Sequence, residues 1–156
     1  MEALAQVLTR EQVLVELLAF KLVTMRQLLL TGETRFLAWA GEEVERAAAK
    51  VREVELERAI VAEGLAAARG LVEPTLRELV TVAPEPWRSL LVDLAESLRE
   101  ATIEVTDLLA SNRRLAEAGA NSIAESLGTL AATTNAPVRA AYSENGRGSG
   151  RVHQVL

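Results

Sequence analysis

The groups able to do chemistry in this 156-residue sequence are few and poorly placed for it. The sole histidine, His153, sits in a polar, glycine-rich stretch near the C-terminus, where no acid-base pair or His-containing metal site can be held in a fixed geometry. Cysteine is absent, which excludes thiolate metal sites, a disulfide framework and thiol redox chemistry. Carboxylate di-metal sites in helical bundles set Glu and His three residues apart, and no such pair occurs. Glu42, Glu43 and Glu45, with Glu53, Glu55 and Glu57, are rich enough in oxygen to draw a cation. Arg46, Lys50, Arg52 and Arg58 interleave with them, so the run reads as a solvated charged helix face. Gly146, Gly148 and Gly150 follow no strand and open no helix, which makes them linker and not a phosphate loop. Two features point to binding. The weakly amphipathic, Ala/Gly/Ser-rich segment from Leu115 to Thr134 has side chains small enough for another helix to approach closely. Tyr142 adds an aromatic ring with a hydroxyl tip to a polar tail, the kind of anchor that fills a partner's pocket. Packing against a partner, with no catalysis and no cofactor, is the expected work.

The elements that must position these residues are helices. Apolar residues make up 49% of the chain, mostly Ala, Leu and Val, and aromatics only 3%, a bias toward helix formers. The first helix is expected over about 3–31, starting either at the N-terminus or at Thr9, which has capping-box spacing to Gln12, and stopping at Thr31-Gly32. Leu4, Val7, Leu14, Leu18, Leu22, Met25 and Leu29 form one stripe on it, and Val13, Leu17, Phe20 and Leu28 a second. Two stripes predict a central helix covered from more than one side, by neighbouring helices or by another chain. The second helix, about 33–69, repeats Leu37, Ala40, Val44, Ala47, Val51, Val54, Arg58, Val61, Leu65 and Ala68 in threes and fours, with Arg58 its one polar member. That is a coiled-coil seam, on a helix of roughly 50 Å, and it predicts an elongated antiparallel hairpin with the first helix. Gly70 ends it, Pro74 sits in the first turn of a short segment at 74–80, and Pro84-Glu85-Pro86 forms a joint. A third long helix, 86–133, places Trp87, Leu91, Leu94, Leu98, Ala101, Val105 and Leu108 on one face. After Ser111-Asn112-Arg113-Arg114 the apolar stripe slips to Ala116, Ala120, Ile123, Leu127 and Leu130 and loses large residues. Residues 135–156 read as a flexible tail. The expected fold is therefore all-α, one helical domain over 1–134 followed by that tail.

Net charge is −5, with 20 of the 22 acidic residues Glu and dispersed among Arg, so no field attracts a nucleic-acid backbone. Leu4–Leu30 is interrupted by Arg10, Glu11, Glu16, Lys21 and Arg26, too many charges for a signal peptide or membrane insertion, and the chain reads as soluble and cytoplasmic.

The stretch Leu17-Leu18-Ala19-Phe20-Lys21-Leu22-Val23-Thr24-Met25-Arg26-Gln27, the glycine turn, Arg35-Phe36-Leu37-Ala38-Trp39, then Asn112-Arg113-Arg114-Leu115 and Tyr142-Ser143-Glu144-Asn145-Gly146, together resemble actinobacterial members of the FlgN-type flagellar export chaperones. The resemblance spans roughly residues 10–147 and implies a cofactor-free cytoplasmic chaperone. Such a protein binds the C-terminal helical regions of hook-filament junction proteins, prevents their premature assembly and delivers them to the flagellar type III export gate. It places the client site on Leu115, Ala116, Ala120, Ile123, Leu127 and Leu130 and export-gate docking on Tyr142. The Ala, Ser and Gly content between Ala116 and Thr134 departs from the larger aliphatics such a site calls for. A structural coiled-coil homo-oligomer, or a small helical secretion-system protein without a client, are the competing readings.

Overall fold

A glycine in the left-handed region closes the first helix. The computed structural model describes the backbone of residues 1–72 and 75–144, and the side chains of those up to 132. Helix α1 spans Glu2–Thr31, and Gly32 at φ 71°, ψ 19° donates its N–H to the Leu28 carbonyl, which also accepts from Glu33 at 3.0 Å. A left-handed C-cap of this kind satisfies the carbonyls that a helix end leaves orphaned, and glycine adopts it without steric cost. Of the two expected starts the N-terminal one is right. Thr9 lies inside the helix with its hydroxyl donating to the Ala5 carbonyl at 2.8 Å, so it caps nothing.

A 3-10 turn at Thr34–Phe36 leads into helix α2, Leu37–Ala67, which returns alongside α1. Gly70, at φ 65°, follows its end, and Leu71 N–H reaches back to the Ala66 carbonyl at 3.0 Å. The short helix α3, Leu76–Thr81, begins at a capping box. Thr75 N–H donates to Glu78 Oε2 at 2.7 Å, and Glu78 N–H donates to Thr75 Oγ1 at 3.3 Å. These two bonds put the start at Leu76, after the expected Pro74, which lies outside the described residues. Helix α4, Trp87–Glu144, opens with Glu85 accepting from Ser89 N–H at 3.4 Å and from its hydroxyl at 3.0 Å.

The heptads expected on α2 and α4 are the packed faces. Ala47, Val51 and Val54 of α2 and Leu91, Leu98, Val105 and Leu108 of α4 share one core with Leu4, Val7, Leu8, Val15, Leu18, Ala19 and Leu22 of α1. Leu4, Leu8 and Leu91 have no exposed surface at all. Burying each such side chain contributes about 1.5 to 3 kcal/mol. Helix α1 is thus central, as its two stripes imply, but the second stripe is a correction. Val13 and Phe20 are 58% and 62% exposed, and the flank of α1 that is buried is Ala5, Leu8, Val15 and Ala19. Periodicity places rows on a helix and cannot say which row a neighbour chooses.

The described residues are all-α, 89% of them helical, with no strand among them. It divides into two compact units, Met1–Ala116 and Glu117–Leu156. The backbone of α4 is helical past the boundary expected at Asn135, through Pro137 as far as Glu144. Ala131, Ala132, Ala136, Ala140 and Ala141 supply the strongest intrinsic helix propensity and outweigh the single proline.

Candidate functional site

Two polar side chains penetrate the core of the first unit. Glu11 of α1 is 3% exposed, and its Oε2 lies 2.7 Å from Nε of Arg58 on α2. The N–H is poorly aligned with that oxygen, so the contact is an ion pair by proximity more than a hydrogen bond. Burial holds the Glu11 carboxyl above its ordinary 4.5, the Arg58 guanidinium pulls it back, and Glu55 pushes the same way as burial. The second is Asn112 of α4, 5% exposed. Its amide donates to the Leu22 carbonyl of α1 at 2.9 Å, while its Oδ1 is buried with no hydrogen-bond partner among the described residues. Arg58 is visible in the sequence as the polar member of the α2 seam. Glu11 escapes the stripe reading, although it falls on the row Leu4, Leu8, Val15, Leu18, Leu22 at helical spacing.

Around this core the charges are peripheral. Arg10 pairs with Glu57, and Lys21 with Glu43 at 2.9 Å. Hydrogen bonds from Lys21 and Arg46, then the charges of Arg46 and Lys21, hold the exposed Glu43 carboxyl below its ordinary range. The capping contacts from Thr75 do the same to Glu78. Glu42, Glu45, Glu53, Glu55 and Glu57 are exposed, as a solvated face requires, and no group of three His, Asp or Glu among the described residues is placed to hold a metal. An open hollow of about 530 Å³ beside the start of α1 is lined by Ala5, Thr9, Arg10, Val13, Trp87 and Leu90. Its walls are mostly apolar and carry no paired nucleophile and base.

The predicted binding residues lie on α4, and the two units divide them. Leu115, half-buried, and Ala116, exposed, end the first unit. Ala120, Ile123, Leu127 and Leu130 belong to the second, where every described side chain from Glu117 to Ala132 is exposed. Ile123, Leu127 and Leu130 are 58%, 62% and 63% exposed, whereas Leu91, Leu98 and Val105 at comparable spacing on the same helix are at 9% or below. A Cβ added at Gly119 or Gly128 would meet nothing within 4 Å, so none of the described residues presses on either glycine. The segment from Leu115 to Thr134 carries two charges only, Glu117 and Glu125. Tyr142 stands in the last turn of α4, its side chain outside the described residues, and residues 145–156, with His153 and the tail glycines, lie outside them altogether.

These features define a class first: an all-helical protein with no group of His, Asp or Glu placed to hold a metal among its described residues, and a run of helix whose aliphatic side chains face solvent. No described helix is long and apolar enough to cross a membrane. The model of the family described as "FlgN protein" matches residues 1–150, and the chain belongs to that family, whose members are flagellar export chaperones. No curated protein and no solved structure gives a significant match.

Proposed function

We propose that this chaperone binds the C-terminal helical regions of hook-filament junction proteins in the cytoplasm, keeps them from assembling early and delivers them to the type III export gate. Its contact surface is the α4 row Leu115, Ala116, Ala120, Ile123, Leu127 and Leu130, and Tyr142 docks it at the gate. The observation that carries this reading is the exposure of Ile123, Leu127 and Leu130, which stand outside the core formed by the described residues. Aliphatic residues at i, i+4 and i+7 are what an amphipathic client helix needs as its opposite face. The exposed glycines and alanines between them let the two backbones approach closely. Binding of this kind draws mainly on apolar burial, offset by the ordering of client and contact segment, which leaves affinity moderate and release feasible.

Titration calorimetry of the full chain with the C-terminal region of a hook-filament junction protein tests the reading. The expected result is saturable binding with a negative heat-capacity change, abolished by Ile123→Asp with Leu127→Asp and unaltered by a change at exposed Ile60 of α2. Undiminished binding by the double variant would move the site elsewhere.

A further inference from the structure

The facing seams of α1 and α2 are built from aliphatic side chains that a one-heptad displacement would largely exchange for one another. On α2 they are Ala47, Val51, Val54, Val61 and Leu65, and on α1 Leu4, Val7, Leu8, Val15, Leu18 and Leu22. Such a seam specifies its register weakly. From the ion pairs that cross it we infer that a charge code locks the hairpin in one register, with Glu11 and Arg58 as its buried key and Lys50 as the element that penalises sliding in either direction.

Glu11 meets Arg58 at 2.7 Å in the middle of the seam. Sliding α2 by seven residues sets Val51 or Leu65 against Glu11 in place of Arg58, and a nearly fully buried carboxylate then has no cation. At the edges Arg10 meets Glu57, and Lys21 meets Glu43. Glu43, Lys50 and Glu57 stand seven residues apart on one row of α2. One direction of sliding brings Lys50 to the place where Glu57 faced Arg10. The other brings it to the place where Glu43 faced Lys21. Either slip replaces an attraction by two facing cations, while in the observed register Lys50 and Arg10 line one shallow hollow together with Glu53 and Glu57, two cations beside two carboxylates. The turn at Gly32 favours the same register, and the buried pair adds its own penalty, since a slip leaves a buried carboxylate without its cation. The lock goes beyond client recognition and does not depend on it: it gives the hairpin a single register.

The chain lacks cysteine, so the full-length protein can be spin-labelled at Thr24→Cys on α1 and Glu63→Cys on α2, both exposed, and the distance between labels measured by pulsed electron resonance. A heptad slip changes the offset of the two helices by about 10 Å. With native code residues a single distance is expected. Glu11→Leu, Arg58→Leu and Lys50→Gln together should keep the helicity and add a second population displaced by about 10 Å. Transposing the code by one heptad, with Val51→Arg, Arg58→Val, Lys50→Glu and Glu57→Lys, should move the main population by the same amount. One unchanged distance in both variants would overturn the inference. So would loss of helicity in the leucine variant, since that would make the pair a requirement for folding and not a choice of register.

Discussion

Glu11 carries a carboxyl into an apolar seam, and its titration should be readable in the stability of the protein. Its folded pKa is raised above 4.5, so the folded state binds the proton more tightly than the unfolded chain does. The stability this adds is fully present below the ordinary carboxylate value and is lost as pH rises through the raised one. Urea unfolding of the native chain and of Glu11→Gln between pH 4 and 7 should therefore show the native chain gaining on the variant as pH falls. Glu43 and Glu78, whose values are lowered, act in the opposite sense and are common to both proteins. Removing the partner is a harsher change: Arg58→Met leaves the carboxylate buried and alone and should cost about 3 kcal/mol, measured by the same unfolding. Gly119→Ala and Gly128→Ala meet open space and should each stabilise the helix by about 0.5 to 1 kcal/mol while weakening client binding, read by thermal melting and by titration. Half of the Glu11–Arg58 pair was legible in the sequence, because Arg58 interrupts a strict seam. Asn112 was not legible as a core residue, because its partner is a backbone carbonyl 90 positions away that no side-chain pattern records.

Among the elements, α4 separates two kinds of apolar row. Leu91→Ala removes a side chain with no exposed surface and should cost about 2 to 4 kcal/mol, whereas Ile123→Ala, 58% exposed, should fall within about 0.5 kcal/mol in denaturant unfolding. The seams of α2 and α4 were legible because heptads sustained over many turns leave only one face to bury. The helix ends were legible where a chemical signal stands at the end: Gly32 after α1, Gly70 after α2, and the Pro84-Glu85-Pro86 joint before α4, whereas the bonds that Glu85 accepts from Ser89 were not read from the sequence. Two readings went astray for physical reasons. Val13, Leu17 and Phe20 have the spacing of a packed row and none of the three is buried, since α2 and α4 take other flanks of α1. The stop placed at Asn135 gave Pro137 and the nearby polar residues more weight than the alanines around them, and the backbone stays helical.

At the scale of the whole molecule, the FlgN family assignment and the exposed residues of α4 support one proposal, that the α4 row from Leu115 to Leu130 is where this chaperone takes its client. The proposed segment stands out in the sequence by its small residues and slipped stripe. Its energetics were not legible there, because exposure depends on which neighbours the chain supplies. With only Glu117 and Glu125 charged in that segment, client affinity should change less than about threefold between low and physiological salt, a weak dependence that separates apolar docking from charge steering. The most direct test is a pull-down from flagellated cells with the full chain and with the full chain carrying Ile123→Asp and Leu127→Asp, bound proteins being identified by mass. Hook-filament junction proteins recovered by the native chain and lost with the double variant are the predicted result. Their equal recovery by both chains, or recovery of the chain alone as a fixed oligomer, would contradict it.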